Sequence, residues 1–313
     1  MSLVSNGVHL GRSVPTRNEI QQLIQGAASG AQDAVKRQFL ADLSAYTNRP
    51  TIFYAAAYGL NKGVAPGMVS IGPADIQSFM TACHALKGSS LDLILHSPGG
   101  VAETAEQIVS YLRSKYQHIR AIVPQNAMSA ATMLACACDE IVMGRQSALG
   151  PIDPQVMLPR KNLPELMLPA AAYLAEFEQA KTEIAADPKT AAVWLDRLRE
   201  LPPGFLAACK TARVRAQEWT AEWLERYMKL PHDTAGKAAA RLANEDLHKS
   251  HGRPISAELA EANGLRIVRL ESDQELQEKV LSVFHATMVT FEMTKCVKLV
   301  ENNLGRGHYL LSH

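Results

Sequence analysis

The sequence predicts an α/β fold built on a mainly parallel sheet. Short apolar runs of strand length alternate with amphipathic helical segments across residues 91–143. The composition is that of an ordinary globular chain, with 47% hydrophobic and 20% charged residues. Strands that are separated by helices of this length form right-handed βαβ units, and these units place the strands in parallel.

The charge balance excludes one broad class of function. The 313 residues include 32 Lys plus Arg and 31 Asp plus Glu, so the formal net charge is only +1. A nucleic-acid-binding protein usually carries a basic excess or a basic run, and this chain has neither. We therefore expect no nucleic-acid partner.

The cysteines and the apolar runs indicate the compartment. The five cysteines lie at positions 83, 136, 138, 209 and 296. Their number is low and odd, and they lack the paired spacing of a zinc site, so we expect reduced thiols and no metal. The first fifteen residues lack the apolar run of a signal peptide. The uncharged stretch 121–138 is interrupted at residues 124–126, which argues against a transmembrane segment. We expect a cytoplasmic protein.

The elements before the central unit form a lead-in. Residues 17–45 have helical periodicity that ends near Asn48 and Pro50, which defines an N-terminal helical lead-in over residues 1–48. A short β-type run at 51–55 follows, and a helix opens at 73–75. The main domain is expected to extend over residues 49–270.

The central unit repeats strand and helix. Strands are predicted at 91–96, 119–123 and 140–143, and the helices between them at 101–115 and 129–138. Each helix begins directly after a turn of small residues. The carboxyl ends of neighbouring parallel strands meet at one edge of a sheet, so these two turns are expected to lie side by side.

The remaining chain reads as mostly helical. Helices are predicted over 169–228, 232–242 and 256–263, and one last strand at 267–270. Ser272 and Glu275 have the spacing of a capping box. We therefore predict a long helix from there to about Asn302, within a C-terminal helical arm over residues 271–313.

Two turns carry the candidate chemistry. Ser97-Pro98-Gly99-Gly100 follows the first central strand, and consecutive glycines let backbone N–H groups face an acceptor without a Cβ in the way. Ser129 lies at the turn into the next helix, and the amide of Ala130 directly follows it. Taken singly, each serine is more often a helix cap and each glycine a turn residue. Their joint order is more typical of an active site.

The motifs resemble those of a known family. Residues 93–155 contain HSPGG, AMSA, DEIVMG and LGPIDPQ, and a weaker match is HGRPISAELAEANGL at 251–265. Together they resemble the ClpP/crotonase superfamily, and within it the signal-peptide-peptidase-like serine peptidases, most closely the serine dehydrogenase proteinase group. The resemblance implies a ClpP/crotonase-like domain with N- and C-terminal helical additions and no organic cofactor.

The resemblance assigns roles to individual residues. It implies that Ser129 is the nucleophile and that Gly99, Gly100 and the Ala130 amide form the oxyanion hole. One departure is Ala131, where the family often has glycine.

The identity of the base stays open. ClpP-type enzymes have a histidine about two dozen residues after the serine, and this chain has none there. Signal-peptide-peptidase-like enzymes use a downstream lysine, so Lys181 and Lys210 are the main candidates, ahead of Lys161 and Lys189. A buried lysine with a lowered pKa can deprotonate serine. A solvated surface charge is the alternative for each lysine.

Three further residues have two interpretations each. His96 precedes the glycine turn and either lines the site or bonds to backbone. Asp153 occupies the position of the missing histidine and either orients a base or caps a turn before Pro154. His251 belongs to the weaker motif and is either functional or structural.

The sequence therefore predicts a serine peptidase that acts on peptides or unfolded protein through an acyl-enzyme. The alternatives are an inactive oligomeric scaffold of the same fold and a crotonase-type acyl-CoA enzyme. We also expect a homo-oligomer, because the apolar stripe over residues 276–291 exceeds what one domain needs. The stripe is either a core face or a subunit interface.

Overall fold

The structure is a computed structural model that describes residues 16–25, 31–158 and 166–312. The strands are β1 (Thr51–Ala56), β2 (Ser90–His96), β3 (His118–Val123), β4 (Asn126–Ala127), β5 (Glu140–Met143), β6 (Ala148–Leu149), β7 (Gln155–Leu158), β8 (Leu166–Pro169), β9 (Ile267–Arg269), β10 (Cys296–Asn302) and β11 (Gly307–Leu311).

The helices surround these strands. They are α1 (Arg17–Gln25), α2 (Ala31–Thr47), α3 (Pro66–Val69), α4 (Ala74–Ala82), α5 (Ala102–Lys115), α6 (Ala130–Cys136), α7 (Ala170–Ala186), α8 (Ala191–Leu198), α9 (Phe205–Arg226), α10 (His232–Leu242), α11 (Glu245–His248), α12 (Ala257–Ala262) and α13 (Gln274–Met293). Within the described ranges, no helix is long and apolar enough to span a membrane.

A seven-stranded mixed sheet forms the centre, in the order β11-β10-β1-β2-β3-β5-β9. The five strands from β1 to β9 in this order pair in parallel, which confirms the predicted α/β fold. Every residue of β1 is buried, as expected for a strand covered on both faces. Helices α5 and α6 contribute to the core on one face, and α2 and α13 to the core on the other.

The C-terminal arm differs from the prediction. Helix α13 ends at Met293, so the predicted continuation of this helix to about Asn302 is instead strand β10, and strand β11 completes the arm predicted to be helical. Strand β10 is buried along its whole length and pairs antiparallel with β1, with Val300 opposite Tyr54. The segment carries the β-branched residues Val297 and Val300, which suit a strand. Pairing with a distant strand therefore prevails over continuation of the helix.

The apolar stripe of α13 belongs to the core of the chain. All six of its residues are buried, against the sheet and against α2: Leu276, Val280, Val283, Phe284, Met288 and Phe291. The interpretation of this stripe as a subunit interface is therefore wrong, because one chain already covers it. The homo-oligomer stays a prediction without support from this helix.

A helical lobe with a small core of its own follows the central unit. The hairpin of β7 and β8 packs on α7 and α9 around Leu158, Ala170, Tyr173 and Cys209. All five cysteines of the chain are free and buried. Burial raises the pKa of the Cys136 and Cys138 thiols, so these two side chains are structural rather than reactive.

Candidate active site

Ser129 stands on a strained turn between β4 and α6. Its φ is 52° and its ψ is −120°, a conformation that costs a non-glycine residue about 1–3 kcal/mol. The turn is held by its backbone: Met128 N–H donates to Ser97 O at 3.0 Å, and Met133 N–H donates to Ser129 O at 3.1 Å. The side chain is partly exposed and caps nothing. Within the described residues, its hydroxyl has no hydrogen-bond partner.

Gly99 packs directly on this turn. A Cβ at Gly99 would lie 2.5 Å from Met128 O, 2.7 Å from the Ser129 Cβ and 2.9 Å from the Ala130 nitrogen. Its φ of 92° also favours glycine. The Gly99 N–H donates to Ser97 Oγ at 3.1 Å, so this amide is already engaged. Gly99 is therefore a spacer that lets the two predicted turns touch.

The amides of Gly100 and Ala130 remain for an acceptor. Gly100 is fixed by Ile71, whose N–H donates to Gly99 O at 2.7 Å and whose carbonyl accepts from Val101 N–H at 3.0 Å. In the part of the chain that the structure describes, neither the Gly100 nor the Ala130 N–H has an acceptor. Both flank the contact between Gly99 and Ser129. Two unpaired donors beside a serine hydroxyl are an arrangement that could hold an oxyanion.

Asp153 and His251, which are 98 residues apart, meet in a hydrogen bond. His251 Nδ1 lies 2.8 Å from Asp153 Oδ1, and the Gln155 amide donates to Asp153 Oδ2 at 2.7 Å. The Asp153 side chain is 2% exposed and the His251 side chain 28%. The sequence identified each residue as a candidate by itself. Nothing in the sequence indicated that they pair.

The segments that carry this pair are linked by backbone pairing to the strand that leads to Ser129. Strand β4, which leads to Ser129, pairs with β6, and Leu149 of β6 exchanges both backbone hydrogen bonds with Ile255. Gly150 packs against Met128, since a Cβ there would lie 3.1 Å from the Met128 Cα. Asp153 follows Gly150 by three residues and His251 precedes Ile255 by four. The fold thus links the three separated motifs through the backbone pairing of β6.

Neither leading lysine candidate is buried. The Lys181 side chain on α7 is 58% exposed, and its amine lies 2.7 Å from Glu178 Oε2. Lys210 on α9 is exposed and lines a cavity of about 450 Å³ together with Pro154, Arg213 and Glu245. The expected buried lysine is therefore not found at either position. Lys161 lies outside the described residues, and Lys189 is exposed.

A buried lysine that the sequence did not indicate supports the glycine turn. Lys298 Nζ on β10 lies 2.9 Å from Asp75 Oδ1 and donates to Ser70 O at 2.8 Å. Tyr54 donates to the same carboxylate at 3.1 Å, and its hydroxyl is also hydrogen-bonded by Ser97. The Lys298 amine is thus held by an ion pair behind the turn. The sequence predicts a helix at this position, so it gives no indication of the buried ion pair.

His96 lies inside the core and does not line the site. It is fully buried, and its ring contacts those of Tyr58 and Phe284. Its Nδ1 accepts a long hydrogen bond of 3.4 Å from Asn126 N–H. Desolvation by burial lowers the pKa of His96 to about 4. No group of three or more His, Cys, Asp or Glu side chains in the described ranges could hold a metal ion.

We expect His96 to make the fold sensitive to acid. Its pKa is about 4 when folded against an ordinary 6.5. Between these values only the unfolded chain binds the extra proton, so the free energy of unfolding falls as the pH drops from 6.5 to 4. At about 1.4 kcal/mol per pKa unit, the loss approaches about 3 kcal/mol.

Urea unfolding at pH 7.5 and pH 4.5 measures this loss. The matched variant is His96→Phe, which keeps a ring against Phe284 and removes the titrating group. We expect the pH-dependent loss to be smaller in the variant than in the wild type. An equal loss in both proteins would show that His96 does not contribute.

Comparison with known protein families gives a match over the segment that contains the Ser129 turn. A family model described as a ClpP-like SDH-type serine proteinase matches residues 75–192. Two uncharacterized proteins of Methanocaldococcus jannaschii are 44% and 42% identical to this chain over 70 and 66 residues, which is 22% and 21% of the chain. The alignments span only 24% and 23% of those relatives. No solved structure matches the chain. Residues 75–192, which contain the Ser129 turn, therefore form a domain of the ClpP-like SDH-type serine proteinase family.

Proposed function

We propose that this protein is a serine peptidase that hydrolyses peptide bonds through an acyl-enzyme on Ser129. The observation that carries the proposal is the strained Ser129 turn, which is flanked by the unpaired amides of Gly100 and Ala130. Membership of residues 75–192 in a serine proteinase family supports the same chemistry. Peptides or unfolded protein are the proposed substrates.

The proposed reaction has two steps. Ser129 Oγ attacks the scissile carbonyl carbon and passes its proton to a base. The carbonyl oxygen becomes an oxyanion, which accepts hydrogen bonds from the N–H groups of Gly100 and Ala130. The C–N bond then breaks, and the base returns the proton to the leaving amine. Water, deprotonated by the same base, hydrolyses the acyl ester and frees Ser129.

The lysine base implied by the family resemblance lacks support from the placement of the lysines. A lysine base must be uncharged near neutral pH, which needs burial away from carboxylates. Lys181 instead lies in solvent beside Glu178, and Lys210 is exposed. Both remain candidates that substitution tests directly.

We expect a fluorophosphonate probe to label the protein on Ser129. The probe forms a covalent bond only with an activated serine, so peptide mapping by mass spectrometry should place the adduct on the peptide that contains Ser129. Ser147 is a suitable internal comparison, because it is buried and its hydroxyl donates to Val123 O. Absence of any adduct would contradict the peptidase and favour the inactive scaffold. Binding of an acyl-CoA without an adduct would favour the crotonase-type enzyme.

A further inference from the structure

We infer that His251, held by Asp153, is the general base that activates Ser129. This inference rests on the proposed peptidase function and adds the residue that moves the proton. It places the base outside residues 75–192, in a segment that reaches the site only through the fold.

The hydrogen bond between the two side chains suits His251 for this role. A carboxylate oxygen accepts hydrogen bonds, so we assign the donor role in the 2.8 Å contact with Asp153 Oδ1 to His251 Nδ1. The neutral ring then presents the lone pair of Nε2 as an acceptor. In the described residues Nε2 has no hydrogen-bond partner, and the side chain is 28% exposed, so this nitrogen is accessible.

The contacts of the Asp153 carboxylate suit it to position His251. Its side chain is 2% exposed, and its second carboxylate oxygen accepts the Gln155 amide at 2.7 Å. Asp153 therefore has one oxygen fixed by a neighbour and one fixed on His251. Such a carboxylate holds the imidazole in one tautomer and stabilises the imidazolium that forms during reaction.

The backbone connects this pair to Ser129 through short links. The hydroxyl of Thr132, on the helix that follows Ser129, lies 2.7 Å from Ala127 O and 2.9 Å from Gly150 O, and it accepts from Gly150 N–H at 2.9 Å. Asp153 is three residues from Gly150, a span of at most about 11 Å. On the other side, Leu149 binds Ile255, four residues after His251. The elements that carry the nucleophile and the base are thus linked through β6.

The proton balance closes with His251 as the base. Nε2 takes the Ser129 hydroxyl proton as the new C–O bond forms, and gives it to the leaving nitrogen as the C–N bond breaks. Nε2 then takes a proton from the attacking water and returns it to Ser129 Oγ as the ester is cleaved. Ser129 Oγ has no partner among the described residues, so its bond to Nε2 must form when substrate binds, as catalytic hydrogen bonds often do.

The test compares histidine and lysine variants in the full chain. His251→Gln keeps a donor for Asp153 but removes the base, so we expect kcat to fall by about 10²–10⁴-fold while KM changes little. His251→Ala should recover part of its kcat when free imidazole is added. Asp153→Asn should lower kcat and keep a near-normal KM. Lys181→Met and Lys210→Met test the rival lysine bases, and neither should lower kcat if His251 is the base.

Each outcome decides the inference. A His251→Gln variant with wild-type kcat overturns it, and so does a collapse of kcat in either lysine variant. Imidazole rescue of His251→Ala supports it even if that variant is less stable, because a purely structural loss is not repaired by a small base. If fluorophosphonate does not label Ser129 in the wild-type protein, the proposed peptidase function itself is contradicted. If Ser129 is labelled slowly in His251→Gln and normally in the wild type, the result supports His251 as the base that activates Ser129.

Discussion

Replacing Ser129 by Ala should reduce peptide hydrolysis by at least about 10³-fold and leave the fold intact. The expected loss is that of a nucleophile that acts as a unit with its base. The fold should persist because the Ser129 hydroxyl caps no helix and has no partner among the described residues. The free energy of unfolding should therefore change by less than about 0.5 kcal/mol.

A second substitution separates chemistry from strain. Ser129→Gly also removes the hydroxyl, but glycine adopts a φ of 52° without the penalty paid by other residues. Relief of about 1–3 kcal/mol of strain exceeds the entropic cost of a new glycine, about 0.4–1 kcal/mol. The glycine variant should thus be inactive and more stable than the wild type.

Kinetics on an unfolded protein substrate and urea unfolding measure both effects. Hydrolysis by Ser129→Ala at the wild-type rate would remove Ser129 from the mechanism. A Ser129→Gly variant less stable than Ser129→Ala would show that the turn is not strained.

The sequence predicted the central βαβ units because their signals are local. The apolar runs of β2 and β3, and the glycines between β2 and α5, lie within a few residues of the contacts they form. The same short range revealed Ser129 and the two glycines as candidates. It did not separate the glycines, because only the packing shows that Gly99 is a spacer while Gly100 has a free amide.

The features that the sequence missed depend on long-range contacts. Strand β10 pairs with β1, which lies more than 200 residues earlier in the sequence. The local sequence pattern alone therefore favoured continuation of α13. The same error hid Lys298 and its ion pair with Asp75. The bond between Asp153 and His251 also joins distant segments. Local periodicity carries no information about such partners, because they become neighbours only in the folded chain.

Replacing Gly99 by Ala should disrupt both stability and activity, because the new methyl group would enter the Ser129 turn. It would lie 2.5 Å from Met128 O and 2.9 Å from the Ala130 nitrogen, both backbone atoms that cannot rotate away. We expect a loss of about 2–5 kcal/mol in the free energy of unfolding, about 1–2 from the left-handed backbone and about 1–3 from overpacking. Any shift of the turn would also misplace the Ala130 amide, so hydrolysis should fall in parallel.

Gly59→Ala is the matched control for this effect. Gly59 has a similar φ of 83°, yet a Cβ there would meet nothing within 4 Å. It should therefore lose only the backbone contribution of about 1–2 kcal/mol and keep full activity. Urea unfolding and peptide hydrolysis of the two variants, side by side, isolate the contact with the Ser129 turn from glycine conformation. Equal losses in both variants would mean that Gly99 is required only for its φ, and the packing of the two turns would not explain the placement of Ser129.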